Sequence, residues 1–297
     1  MATVTGNGTG IGNGTGIGKR WSTLWYRLER SLVVILLALG LAITLLPFIW
    51  MMLNSIKTNT EAMRVPPTFW PENPTMENFY RIFTTDDLPL GRFYANSITV
   101  AVSNVFITLF TSSLFGFLFA KYEFPGKRIF FGWFMLGMMI PGVSMMIPNY
   151  MILNYLGLLN KLAALIVLGA LDAFGIFMMR QFIESLPNEL IDAGRIDGAS
   201  EFRIYRSIIV PQLGPAMATL GTLTFMGNWN AYLWPMVILT RKEVRTLPVI
   251  LTWFNTQHGS RPGLTSAANV LVVVPILIVY FFLQRWVVRG STMSGIK

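Results

Sequence analysis

The chain has 297 residues, of which 53% are hydrophobic and only 12% are charged, against roughly 25% charged in an average soluble domain. The absence of cysteine excludes disulfides, thiolate metal sites and iron–sulfur clusters, and a single histidine excludes most His-based metal and acid–base sites. A mean hydropathy of +0.54 favours the bilayer as solvent, because so apolar a surface would aggregate in water.

The N-terminal segment is low in complexity. The block Asn-Gly-Thr-Gly-Ile-Gly occurs twice, at residues 7–12 and 13–18. Such glycine-rich composition predicts a disordered tail, and neither its spacing nor its context is that of a phosphate-binding loop. We therefore predict a cytoplasmic tail with an interfacial segment over residues 1–30, followed by a membrane domain over residues 31–290.

Charge-free stretches predict the membrane spans. Five of them exceed the roughly 20 residues that a helix needs to cross a bilayer. A sixth stretch, from Lys161 to Arg180, is shorter and contains Asp172, but including it places both termini on one side. The sequence thus predicts an all-α polytopic membrane protein with six transmembrane helices, over residues 32–53, 95–119, 129–152, 162–180, 212–239 and 264–284.

The basic residues predict the orientation. Fourteen of the 23 Lys and Arg residues fall on the side that holds both termini. Four lie in the N-terminal segment, seven in the two short loops, and three at the C-terminal end, which includes the predicted cytoplasmic tail 291–297. By the positive-inside rule this side is cytoplasmic. Orientation therefore accounts for the net charge of +9, and we expect no nucleic-acid partner.

The outward loop after the first span carries aromatic residues. It runs from Asn54 to Arg92 and includes a rigid proline-rich stretch, Pro66 to Pro71. The aromatic residues in and next to this loop are Trp70, Phe79, Tyr80 and Phe93. Their side chains can contact membrane lipid at the interface, or they can dock an external partner. The sequence leaves both alternatives open.

The cytoplasmic loop 181–211 predicts two short helices. Apolar and acidic residues recur there at helical spacing: Leu190, Ala193, Ile196 and Asp197. Gly198 can end the first helix in a left-handed conformation, and Ser200 is a good N-cap for a second helix that runs towards Pro211. Two short helices at an angle form a knob that another protein can bind in a groove.

The spacing of this loop resembles a cytoplasmic motif of permease subunits of bacterial ABC importers. That motif reads Glu-Ala-Ala, three residues, Gly, nine residues, and then Ile-x-Leu-Pro. The matching residues are Asp192-Ala193-Gly194, then Gly198, then Ile208-Ile209-Val210-Pro211. Gly replaces the second Ala of the motif, and we expect Gly194 to loosen the first helix by roughly 1 kcal/mol.

The resemblance extends from about Leu32 to Gly290. Residues 120–128 and Asn228-Trp229-Asn230 followed by Trp234-Pro235 are similar to the carbohydrate branch, and in particular to the maltose-type second permease. The resemblance implies a heterodimer with a homologous second permease, an ABC ATPase dimer and an extracytoplasmic solute-binding protein in a bacterial inner membrane. It also implies that the 186–211 loop couples to the ATPase through Leu190, Asp192, Ala193, Gly194, Asp197, Gly198 and Ala199.

This chain has no nucleotide-binding loop of the form Gly-x-x-x-x-Gly-Lys-Ser/Thr. Its Gly18-Lys19 and Gly126-Lys127 pairs lack the upstream glycine and the hydroxyl. We therefore expect no catalytic residue, no metal site and no cofactor on this chain. ATP and magnesium would bind to the partner ATPase.

Polar residues within the spans are candidates for the solute pathway. Asp172 is predicted in mid-span, where a carboxylate faces either a wet cavity or a neighbouring helix. Amides and an indole suit a sugar, because hydroxyls need donors and acceptors while the sugar face stacks on aromatic rings. The pathway candidates are Asp172, Asn228, Trp229, Asn230, Trp234 and Asn104, and interhelical hydrogen bonding is the alternative for the asparagines.

The predicted function is therefore a permease subunit of an ATP-driven importer for a sugar or an oligosaccharide. A permease for another solute, such as glycerol phosphate, remains an alternative. So does a secondary transporter driven by an ion gradient, although such proteins usually carry several buried acidic residues or an inverted repeat. An intramembrane enzyme is disfavoured by the lack of Cys, of paired aspartates and of more than one His.

Overall fold

The computed structural model describes residues 16–85, 89–249, 251 and 261–293. Within these ranges the regular secondary structure is helical and no strand occurs, which confirms the predicted all-α class. The predicted tail at residues 1–15 and the C-terminal residues 294–297 lie outside the described part. The first helix already begins at Gly16, inside the segment predicted as a tail.

Fourteen α-helices occur in the described residues. In chain order they are α1 (Gly16–Ser55), α2 (Asn59–Ala62), α3 (Glu77–Thr84), α4 (Leu90–Lys121), α5 (Lys127–Met139), α6 (Met146–Tyr155), α7 (Leu162–Leu168), α8 (Ala173–Glu184), α9 (Glu189–Ile196), α10 (Glu201–Ile204), α11 (Val210–Gln212), α12 (Gly214–Trp229), α13 (Leu233–Ile238) and α14 (Pro262–Met293). A π-helical segment, Tyr205–Ile209, joins α10 to α11. Two 3₁₀ turns follow α13, at Lys242–Val244 and Leu247–Val249.

Three described helices are long and apolar enough to cross a membrane unbroken: Glu29–Ser55, Leu90–Lys121 and Pro262–Phe282. Two bent pairs bring this number to as many as five. One joins α7 to α8 at 44°, and the other joins the helical run Glu201–Gln212 to α12 at 80°. The count of six spans stays a prediction.

The predicted third span, 129–152, is interrupted. Helix α5 ends at Met139 and α6 begins at Met146, with Pro141 between them. Proline has no backbone N–H and disfavours a helical conformation in the residue before it, which accounts for the break.

The chain divides into two compact units, Met1–Leu53 and Asn54–Lys297. In the first unit, α1 is apolar throughout the stretch from Leu32 to Ile49, as expected of a helix whose solvent is lipid. The second unit contains the packed core described below.

Helix α4 runs through all three apolar clusters of the second unit. Phe93 lies in the cluster near its N-terminal end, Val100 in the middle cluster and Phe117 in the cluster near its C-terminal end. The face that α4 turns inward also carries small and polar side chains that are buried: Ser97, Asn104, Thr108, Ser112 and Ser113. Such residues let helices approach closely and supply hydrogen bonds between them.

Helix α4 approaches α8 closely at Gly116. A Cβ atom at this position would lie 2.7 Å from Met179 Cβ and 2.9 Å from the backbone nitrogen of Arg180. Both neighbours are fixed by the α8 backbone, so only glycine fits here without moving one helix away from the other.

Replacing Gly116 by Ala should therefore destabilise the protein by about 1–3 kcal/mol, because it overpacks this contact. Gly91→Ala in the same helix is the matched control, since nothing lies within 4 Å of its added Cβ. The thermal unfolding midpoint of the detergent-solubilised protein measures the difference. Equal midpoints for the two variants would contradict the close approach.

Candidate functional site

Two short helices form a knob after α8, which we define as residues 186–211. Helix α9 ends in a Schellman motif: the N–H of Ala199 donates to Gly194 O at 2.9 Å, and the N–H of Gly198 donates to Arg195 O at 3.0 Å. Gly198 has φ +72°, the left-handed conformation that glycine adopts most easily. The Ser200 hydroxyl then accepts from the N–H of Arg203 and caps α10. The predicted helix end and helix start are both confirmed.

The knob presents an apolar surface to its surroundings. Ile191 and Gly194 face inward and are buried, whereas Leu190 and Ala193 are exposed. Ile196 is 86% exposed, and Phe202 on α10 is also exposed. The face predicted from helical spacing, with Leu190, Ala193 and Ile196, is therefore the outer face of the knob. Its border consists of Asp192, Asp197, Gly198 and the half-buried Ala199.

Gly194 permits the two arms of the knob to pack together. An added Cβ would lie 2.7 Å from Ile208 Cδ1 and 3.1 Å from Ile204 Cγ1. The sequence suggested that Gly194 loosens α9. The structure adds a packing reason for glycine at this position, because it is the point at which the second arm crosses the first.

Side chains at the end of α4 hold the knob in place. Lys121 Nζ donates to Leu186 O at 2.6 Å and to Asn188 Oδ1 at 2.7 Å. The Tyr122 hydroxyl donates to the Glu201 carboxylate, which also accepts from Arg195 Nε at 2.9 Å. The knob is thus tied to the second span as well as to the fourth.

These contacts shift two pKa values in opposite directions. The hydrogen bond from Arg195, and then that from Tyr122, lowers the pKa of Glu201. Burial, and then the hydrogen bond to Glu201, raises the pKa of Tyr122 to about 12. At neutral pH the phenol is therefore the donor and the carboxylate the acceptor, which keeps the three residues joined.

An apolar cluster connects the knob to the membrane helices. It contains Phe117 of α4, Met179 and Ile183 of α8, Leu213 before α12, and residues of the knob itself: Ile191, Ile204, Tyr205 and Ile209. The Tyr205 and Ser113 hydroxyl oxygens lie 2.7 Å apart, and the Tyr205 ring lies 5.8 Å from that of Phe117. The knob is therefore packed directly against α4, α8 and the start of α12.

The predicted fourth span is a bent pair of helices, α7 and α8, with a break that ends at Asp172. This carboxylate caps α8 by accepting from the N–H of Gly175 at 3.0 Å, so Asp172 lies at a helix start and not in the middle of an unbroken helix. Helix α4 satisfies the free carbonyls of the break: Thr108 Oγ1 donates to Gly169 O, and Thr111 Oγ1 donates to Ala170 O. Within a membrane such a break needs partners of this kind.

Two of the predicted pathway residues meet beside this break. Asn104 is fully buried, and its Nδ2 donates to Asn228 Oδ1 at 2.8 Å. Asn228 in turn donates to Thr224 O, and it is half-buried. The two amides are far apart in sequence, and the packing of α4 against α12 brings them together.

The other candidates have different surroundings. Trp229 is 3% exposed, its indole N–H donates to Val272 O at 3.1 Å, and it stacks on Phe225. In this conformation it packs in the core and is not presented to a solute. The side chain of Asn230 is exposed at the end of α12, and Trp234 is half-buried against the middle cluster.

Sequence reasoning missed Tyr122, Glu201 and Lys121, which orient the knob. The matched motif begins at residue 192 and so does not include residues 121 and 122. No local pattern links residue 122 to residue 201. Asn160 was also missed: its Oδ1 accepts from Thr240 N, Thr240 Oγ1 and Arg241 N at 2.8–2.9 Å. Asn160 has a positive φ of 60°, and its only sign in the sequence is that asparagine tolerates this conformation.

Comparison with known proteins identifies the family of this chain. Residues 112–292, which include the knob and the broken fourth span, match the family of binding-protein-dependent transport system inner membrane components. The chain belongs to that family. It is therefore a component of a membrane transport system, located in the inner membrane.

Its relatives in this family include sugar permeases. The chain is 34% identical to the arabinooligosaccharides transport system permease protein AraQ of Halalkalibacterium halodurans, over 88% of this chain and 96% of that protein. It is 30% identical to the lactose transport system permease protein LacG of Rhizobium radiobacter, over 92% and 98% of the two chains. A solved chain of a bacterial ABC transporter that imports the acidic polysaccharide alginate superposes with a TM-score of 0.77, at 26% identity and over 87% and 96% of the two chains.

Substitution of Gly198 in this binding-protein-dependent transport component tests the knob geometry. We expect Gly198→Val to reduce transport at least tenfold, because a β-branched residue is strained at φ +72° although no atom lies within 4 Å of its Cβ. Gly198→Asn is the control, since asparagine tolerates the left-handed region. Uptake into proteoliposomes of the assembled transporter is the measurement, and equal loss in both variants would argue against a conformational cause.

Proposed function

We propose that this chain is one of two homologous permease subunits of an ATP-driven importer for a sugar or an oligosaccharide. An ABC ATPase dimer and an external solute-binding protein complete the transporter. The observation that carries this proposal is the knob, a rigid helix pair with an exposed apolar face in a chain of this family. The curated relatives that transport arabino-oligosaccharides and lactose, and the alginate transporter, support the class of solute.

The knob has the properties of a helix that docks in a groove of a partner protein. Its exposed face carries Leu190, Ala193 and Ile196, with Phe202 beside them. Apolar side chains spaced in this way are what groove recognition uses. The partner is an ATPase that holds ATP and magnesium, and we expect this chain to bind neither.

The knob can transmit motion because it is fixed to the membrane helices at several points. Closure of the ATPase around the exposed face of the knob would shift the buried Tyr205 and Ile204. These two residues pack in one cluster with Phe117 of α4 and Met179 of α8. The hydrogen bonds from Lys121 to the base of the knob prevent it from swinging independently. Nucleotide-driven movement would therefore tilt α4, α8 and α12 and open the pathway alternately to the two sides.

The proposed solute pathway passes the break in the fourth span. Asp172 and Asn228 lie near it, and exposed Asn230 and half-buried Trp234 follow along the chain, while Asn104 holds Asn228 in place. Carboxylate and amide groups accept from and donate to sugar hydroxyls. Ser112 Oγ and the Asp172 carboxylate both approach Gly175, at 2.3 Å and 3.0 Å from a Cβ placed there, so a larger residue at 175 has no room beside them.

The docking face is tested by Ile196→Asp. A charge in the middle of an apolar contact should abolish co-purification of the ATPase and reduce ATP-dependent uptake at least tenfold, because the carboxylate cannot be desolvated there. Ile196→Leu keeps the volume and apolar character of the side chain and should retain both ATPase co-purification and ATP-dependent uptake. Since residue 196 is 86% exposed, neither change should lower the unfolding midpoint. Unchanged co-purification with Ile196→Asp would contradict ATPase binding through this face.

The pathway role of Asp172 can be separated from its capping role. Asn caps a helix about as well as Asp, so Asp172→Asn should leave the unfolding midpoint unchanged, whereas Asp172→Ala should cost about 0.5–2 kcal/mol. If the carboxylate accepts from solute hydroxyls, Asp172→Asn should raise the concentration for half-maximal uptake of a labelled arabino-oligosaccharide several-fold. An unchanged half-maximal concentration would leave Asp172 with the structural role alone.

A further inference from the structure

The segment between α1 and α4 buries two charged side chains. Lys57 is 1% exposed, and its ammonium group donates to Thr68 O. The Glu61 carboxylate is almost fully buried and accepts from Thr68 Oγ1 at 3.0 Å and from the N–H of Glu72 at 2.8 Å. The large apolar side chains of the same segment point outward: Val65, Trp70, Met76, Tyr80 and Phe83.

Two buried charged side chains beside a group of exposed large apolar side chains are unusual for a loop in water. Single exposed apolar residues are normal on a protein surface, but a group of them indicates that something else covers them. The attachment of α3 to neighbouring helices bears on what that cover is.

Helix α3 is attached to the ends of α4 and α14. Asn78 Nδ2 donates to Ser55 O at 2.9 Å and to Lys57 O at 2.8 Å. Gly263, in the first turn of α14, brings α14 so close that an added Cβ would lie 3.0 Å from Asn78 Nδ2. Ile82 packs in the same cluster as Leu90 and Phe93 at the start of α4, so α3 lies at the level where these two spans end.

The outward side of α3 is an apolar stripe. Met76, at its N-cap, and Tyr80 and Phe83 are spaced by four and three residues and so share one side, and Tyr80 is 69% exposed. The polar residues Glu77 and Arg81 lie on the adjacent flank, where Arg81 Nε donates to Glu77 Oε1 at 2.9 Å. Phe79 and Ile82 face the core.

We propose that Met76, Tyr80 and Phe83, together with Trp70, form an interfacial anchor that inserts among the lipid headgroups at the end of the spans opposite the knob. Tyr and Trp are the residues that prefer this layer, because their rings are apolar and their polar atoms stay hydrated. The paired charges of Glu77 and Arg81 on the flank remain at the water side, as in other helices that lie in the interface.

Lipid suits this surface better than a soluble partner does. The segment between Ser55 and Leu90 is only 34 residues long, and contacts of Asn78 and Ile82 hold α3 at the ends of α4 and α14. Its stripe therefore stays at the depth of the headgroups in every conformation that keeps these contacts. The anchor would hold the outer ends of α4 and α14 at a constant depth while the knob end moves.

The lack of cysteine in the chain allows a direct test. Single-cysteine variants Tyr80→Cys and Arg81→Cys are labelled with the fluorophore NBD in the assembled transporter in nanodiscs of phosphatidylethanolamine and phosphatidylglycerol. Arg81→Cys is the matched control, since it lies on the polar flank of the same helix and loses only an exposed ion pair. Quenching by a headgroup-level nitroxide lipid and by aqueous iodide is measured for each.

The anchor predicts that the label at residue 80 emits at shorter wavelength than that at 81. The nitroxide lipid should quench the label at residue 80 at least threefold more than the label at residue 81. Iodide should quench the label at residue 80 at most one third as much as the label at residue 81. If iodide quenches both labels equally, the stripe faces water and is free to dock a soluble protein. If neither quencher reaches residue 80, another subunit covers it. Either of these results would overturn the proposal.

Discussion

The packing of α4 against the broken fourth span is the constraint on which the rest of the second unit depends. A break inside a membrane leaves backbone carbonyls that water cannot reach, and α4 satisfies them with the Thr108 and Thr111 hydroxyls. Further along α4, Gly116 lets this helix touch α8 at Met179 and Arg180. The same inward face carries Asn104 to Asn228 and Ser113 to Tyr205, so one helix face positions both the candidate pathway and the base of the knob.

The knob is an extension of the helix bundle and not a flexible loop. Its two arms cross at Gly194, its tip turns at Gly198, and its base is held by Lys121 and by the Tyr122–Glu201 hydrogen bond. A protein that grips the exposed apolar face can therefore act on helices that lie inside the membrane. The interfacial anchor at the opposite end of α4 supplies the fixed end that such a lever needs.

Local signals predicted the parts of the structure that depend on short stretches of chain. The ends of α9 and α10 follow from the conformational freedom of Gly198 and the hydroxyl of Ser200, and both were predicted correctly. The burial of Trp229 was not. The triplet Asn228-Trp229-Asn230 places three side chains on different sides of α12, and only the position of α14 decides that the indole faces Val272 O while Asn230 faces out.

The sequence by itself determined that the chain belongs in a bilayer and that it is helical. It also determined that two short helices, the first ending at a glycine, follow the predicted fourth span. These features could be predicted because composition and helix capping act over a few residues. The tertiary structure alone decided why residue 194 is glycine, which side of α9 is exposed, and that the fourth span breaks at Asp172 against α4. It also buried Lys57 and Glu61 of the outer segment and exposed Trp70 and Tyr80. These features arise from contacts between residues far apart in the chain, and such contacts exist only once the helices have packed.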